Sequence, residues 1–66
     1  MKYPKLHGRI VEKCGTIKTF AIKLGMTPTT IGAKLKGRSP WKDKEINATC
    51  EILEIPREQI SLYFLP

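Results

Sequence analysis

Apolar residues recur along this chain at helical spacing from one end to the other. Leu6, Ile10 and Cys14 fall at i, i+4 and i+8, and Val11 widens the stripe. Pro4 suits a first helical turn and Gly15 the position just past a last one, so a helix is predicted over residues 4–14. Gly8 lies inside it and weakens it by roughly 1 kcal/mol relative to Ala. Phe20, Ala21 and Leu24, with Ile17 one turn earlier, predict a second helix over 17–24, capped by Thr16 and ended by Gly25. Thr27 as N-cap, Pro28 at the first helical position and the core pair Ile31 and Leu35 predict a third, over 28–36, closed by Gly37. Ile46, Cys50 and Leu53, with Thr49 beside them, predict a fourth over 43–53, whose first turn carries Asp43 and Glu45 where the helix dipole favours acids. After Pro56, an apolar face of Ile60, Tyr63 and Phe64, with Leu62 and Leu65 nearby, predicts a fifth over 57–64. No segment alternates as a strand does. The expected fold class is all-α, a compact bundle of five short helices in one domain, 1–66.

The second and third helices are separated by a turn so tight that they form a helix-turn-helix. Stepping about 100° per residue from Ile31 puts the core direction between Ile31 and Leu35 and turns Thr29, Ala33 and Lys36 outward, flanked by Gly32 and Thr30. A face of small side chains enters a major groove deeply. Thr bonds a base edge, and Ala packs on a thymine methyl. The expected base-contacting set is Thr29, Ala33 and Lys36 with Pro28 and Gly32. The bland alternative is a merely solvated helix face.

Charge sharpens that choice. Residues 1–42 hold ten Lys and Arg against one acid, Glu12, a net +9, whereas residues 43–66 carry a net −3. A basic surface segregated in this way fits a polyanionic partner. The `GRSPWK` linker supplies Arg38, Ser39 and Lys42 as phosphate contacts, joined by Lys18 and Lys13. Trp41 reads as a core anchor over that linker rather than a base-stacking residue.

Other chemistries find little footing. Cys14 and Cys50 form no CxxC pair, and a disulfide between them is disfavoured for an intracellular chain. A single histidine, His7, leaves no metal-ligand set and no nucleophile–base pattern, and it reads as solvent-exposed. No Gly-rich phosphate loop occurs. The expectations are no enzyme activity, no metal, no cofactor and no small-molecule substrate. No apolar run approaches the ~20 residues that span a bilayer and no signal-peptide pattern is present, so a cytoplasmic protein is expected.

The stretch `TIKTFAIKLGMTPTTIGAKLKG` resembles the helix-turn-helix of the Cro/C1 repressor family, the xenobiotic-response-element type. Ala21, Gly25, Met26, Thr27 and Ile31 match the family pattern, and `INATCEILEIPREQI` is similar to its closing helices. The spacing and the `GR-PW` linker look like short Cro-like regulators of Gram-positive temperate phages and prophages. Three positions depart from the pattern. Ile17 stands where a phosphate-binding Gln is usual, Ile10 and Leu35 stand where many relatives carry a buried Arg–Glu pair, and Glu54 replaces a Gly.

Together these readings predict a sequence-specific repressor that binds a double-stranded DNA operator with two-fold symmetry. A single small module contacts only one half-site, so a homodimer is expected. Its interface is placed at the less basic end, on Ile60, Tyr63, Phe64 and Leu65. A different reading keeps the fold but changes the partner: a protein-binding modulator, antirepressor or antitoxin-like chain that meets another regulator through its acidic C-terminal third. The apolar `ISLYFLP` tail serves either that contact or the chain's own core.

Overall fold

The computed structural model describes residues 2–65. The helices are α1 (Pro4–Cys14), α2 (Ile17–Leu24), α3 (Pro28–Leu35), α4 (Asp43–Leu53) and α5 (Ile60–Phe64), with a 3-10 turn, Arg57–Gln59, leading into α5. Among the described residues there is no strand, so the all-α expectation holds. Two bounds differ from the sequence reading. The third helix stops at Leu35, with Lys36 as its C-cap, and the expected helix 57–64 is divided between the 3-10 turn and α5.

Hydroxyl caps and left-handed closures set the helix ends. Thr16 Oγ1 accepts from Thr19 N–H at 3.1 Å, and Thr27 Oγ1 accepts from Thr30 N–H at 3.2 Å, each satisfying an amide that the first helical turn leaves free. Gly25 and Gly37 adopt φ 78° and 80°, a region costly for side chains with a Cβ. Each reversal lets the following amide reach back to the helix, Met26 N–H to Ala21 O and Arg38 N–H to Ala33 O, both at 2.9 Å. The end of α4 closes the same way, Ile55 N–H to Cys50 O at 2.9 Å, although the left-handed residue there is Glu54, φ 55°.

A clasp holds Glu54 in place. Arg9 of α1 donates through Nε to Leu53 O at 2.9 Å and through Nη2 to Glu54 O at 3.0 Å, while Lys13 Nζ lies 2.9 Å from Glu54 Oε2. These cations occupy the carbonyl end of α4, where the helix dipole favours positive charge. The Lys13 ion pair, with the nearby Arg9 charge, holds the Glu54 carboxyl below its ordinary range against a smaller effect of burial.

The core comprises Leu6 and Ile10 from α1, Phe20 and Ala21 from α2, Ile31 and Leu35 from α3, Leu53, Ile55 and Phe64. Trp41 packs over it edge-on to Phe64, ring centroids 5.3 Å apart, and to Tyr3 at 6.4 Å, in line with its expected anchoring role. Cys14 and Cys50 are free thiols, and burial raises the pKa of Cys50. No helix among the described residues is long and apolar enough to cross a membrane.

Candidate functional site

Thr27 and Pro28 start α3 on the outside of the molecule, and Thr29 and Thr30 are exposed beside them. Gly32 and Ala33 are half-buried, so Ala33 is not the freely outward residue that the helical wheel placed there. Lys36 is exposed but sits past the last turn, as the C-cap. Of the expected phosphate contacts, Lys18, Arg38 and Lys42 are exposed and Ser39 is half-buried. Lys13 is engaged by Glu54. Lys2 joins the end of α3: its N–H donates to Leu35 O at 3.3 Å and its side chain crosses the open face of Gly37.

Lys34 was missed on the sequence. On the helical wheel it lies on the flank of α3, yet its side chain is 4 % exposed. The ammonium turns inward to Glu45 Oε1 at 2.8 Å and Pro40 O at 2.8 Å, and lies 5.7 Å from the centre of the Trp41 ring. Glu45 Oε1 also accepts from Lys42 N–H at 2.9 Å, so one carboxylate closes the α4 N-terminus and neutralises the lysine. Burial pushes the Glu45 carboxyl up, but Lys34 and the Lys42 amide outweigh it and hold its pKa below the ordinary value. No short spacing links residues 34 and 45, and Glu45 at the third position of α4 is an ordinary capping residue, so nothing local in the sequence signals the pair. Ile10 and Leu35, where the Cro/C1 resemblance sets an ion pair, form part of the apolar core. The structure's own buried ion pair joins α3 to α4 instead.

The C-terminal candidates separate. Phe64 is buried in the core, which corrects its placement in a dimer interface, and Ile60 and Tyr63 are half-buried against that core. Leu65 remains exposed. His7, expected in solvent, is half-buried on α1. Two shallow hollows border the exposed part of α5. One, of ≈ 360 Å³, is lined by Lys5, Gly8, Arg9 and Glu12 of α1 with Leu62 and Tyr63. The next, of ≈ 200 Å³, shares Lys5, Leu62 and Tyr63 and adds Lys2, Tyr3, Pro4 and Leu65. On the other side of α5, Asn47, Cys50 and Glu51 of α4 face Ile55, Arg57 and Ile60 across a third hollow.

A family model described as "Protein of unknown function (DUF739)" matches residues 1–66. The chain belongs to the DUF739 family. Among solved structures it is similar to the modulator of repression (MOR) of the temperate bacteriophage TP901-1 from Lactococcus lactis, with 41% sequence identity and a TM-score of 0.84, over 96% of this chain and 85% of that one. Curated protein sequences give no match. The similarity overturns the expected function. A DUF739 chain this like a modulator of repression along almost its whole length is not read as a repressor occupying its own operator. The resemblance to a helix-turn-helix repressor misled because a fold does not fix what its surface binds.

Proposed function

We propose that this protein is a modulator of repression in a temperate phage or prophage, acting by binding a repressor protein. Its α2–turn–α3 unit is a Cro/C1-type helix-turn-helix retained as scaffold, and its work is binding rather than catalysis. The observation that carries this reading is the similarity to MOR over 96% of this chain, at 41% identity and TM-score 0.84.

Two features of the surface support it. Part of the basic stretch is consumed internally: Lys34 is buried on Glu45, Lys13 is paired with Glu54, and Arg9 is spent on α4 carbonyls. Those residues strengthen the fold rather than a polyanion site. In addition, large apolar side chains remain in water, and clusters of these mark protein contacts on small domains.

The test combines the chain with a purified helix-turn-helix repressor from the same genome and with the operator of that repressor. Calorimetry is expected to show a stoichiometric protein complex. In a gel shift, adding the chain is expected to change the apparent operator affinity of the repressor by tenfold or more, about 1.4 kcal/mol of coupling. A chain that leaves repressor affinity unchanged and shifts the operator alone with nanomolar sequence specificity refutes the reading.

A further inference from the structure

The groove between α1 and α5 carries three independent peculiarities. The first is apolar exposure: Leu62 is 54% and Leu65 69% exposed, three residues apart and lining adjoining hollows with Tyr63. The second is Gly8. A glycine inside a helix weakens it relative to alanine, and a Cβ at this position would meet nothing within 4 Å. Packing within the molecule therefore does not call for a glycine here, yet it keeps the groove floor open. The third is charge. Lys2 and Lys5 border the hollows and have no carboxylate partner among the described residues, while the one acid present, Glu12, is held by Arg9 at 3.3 Å.

We infer that this groove is the docking site for the repressor, and that its occupant is an amphipathic helix with an apolar stripe flanked by Asp or Glu. The inference rests on the modulator reading proposed above and adds the surface and the partner's chemistry. The apolar stripe covers Leu62, Tyr63 and Leu65, its backbone comes close over Gly8, and its acids meet Lys2 and Lys5. A basic helix is repelled by the same border. This arrangement is a helix laid into an apolar groove, with border charges setting orientation and association rate.

The experiment measures affinity of the full chain for the purified repressor by calorimetry, with circular dichroism on every variant. Gly8→Leu is the central variant because its effects on folding and on binding have opposite signs. It raises Tm by about 4 °C or more through helix propensity, and by filling the groove it weakens repressor binding about tenfold or more. Leu62→Ser with Leu65→Ser, both at exposed positions, weakens binding to a similar degree. Lys5→Glu weakens it several-fold and flattens its salt dependence. Ile22→Ser, at a 70% exposed position on α2, leaves it unchanged. If the wild-type chain binds no repressor, the modulator reading itself fails. If the wild type binds and Gly8→Leu binds equally well, that reading stands and the groove is overturned. An unchanged affinity in Lys5→Glu overturns the acidic character of the occupant. Self-association of the free chain that disappears in Gly8→Leu, with repressor binding intact, assigns the groove to a second copy and overturns the inference.

Discussion

Replacing Lys34 with alanine tests whether the buried ion pair is a structural joint. The ammonium has three partners: the Glu45 carboxylate, the Pro40 carbonyl and the face of Trp41. Alanine removes all three and leaves a carboxylate of 13% side-chain exposure with only the Lys42 amide. Removing one member of a buried pair typically costs about 3–5 kcal/mol, chiefly for stranding the other charge. A domain of 66 residues holds roughly 3–10 kcal/mol in all. Lys34→Ala is therefore expected to be marginally folded at 25 °C. Urea unfolding followed by Trp41 emission measures the loss directly, because the indole lies beside the altered group. At a slope of about 1 kcal/mol per molar urea, the midpoint falls by about 3 M or more. Lys34→Met combined with Glu45→Leu removes both charges and is expected to recover most of the loss, since an apolar pair of similar volume avoids the desolvation of ions. A cost below about 1 kcal/mol for Lys34→Ala, or a double variant whose loss is the sum of its two singles, refutes the argument.

Further outcomes follow from the same contacts. Glu45 and Glu54 both have folded-state pKa values below the ordinary 4.5, so their stabilisation is present above that value and is lost as the pH falls through the folded-state values; the urea midpoint should drop below about pH 4.5, and the drop should shrink in Glu45→Gln with Glu54→Gln. Phe64→Ala should destabilise the fold by about 3–5 kcal/mol without changing its sedimentation, whereas an interface role predicts the opposite pattern. Thr27→Ala should cost about 1 kcal/mol in chemical denaturation through loss of the α3 cap.

Much of the fold was legible because its signals are local. Pro4, Thr16, Thr27 and Pro28 start helices, Gly15, Gly25 and Gly37 end them, and apolar repeats at three and four residues orient each helix toward the core. What escaped depends on distance in sequence. A helical wheel assigns a direction to the Lys34 backbone but not the path of a long flexible stem, which curls back to a carboxylate eleven residues on. The wheel also exposed Ala33, which the folded chain half covers. Phe64 and Leu65 are adjacent and both apolar; only the position of α5 against Trp41 and Tyr3 decides which one is core. Function was the least legible, because the positive charge that favoured DNA was counted along the chain, while three of its members, Arg9, Lys13 and Lys34, are engaged by the chain's own carbonyls and carboxylates.

The Arg9 clasp has a kinetic meaning. Its hydrogen bond to Leu53 O spans 44 residues of chain, whereas the Lys34–Glu45 pair spans 11, and two doublings of loop length cost about 1.2 kcal/mol more in closure entropy. The clasp is therefore the entropically costlier of the two closures, and the expectation is that it forms after the rate-limiting step of folding. A contact made after the rate-limiting step leaves the refolding rate untouched and acts as a brake on unfolding. Arg9→Ala should thus shorten the lifetime of the native state, seen as a raised unfolding limb with an unmoved refolding limb. On that expectation, the latch that joins the first helix to the fourth governs how long the molecule stays folded, not how quickly it gets there.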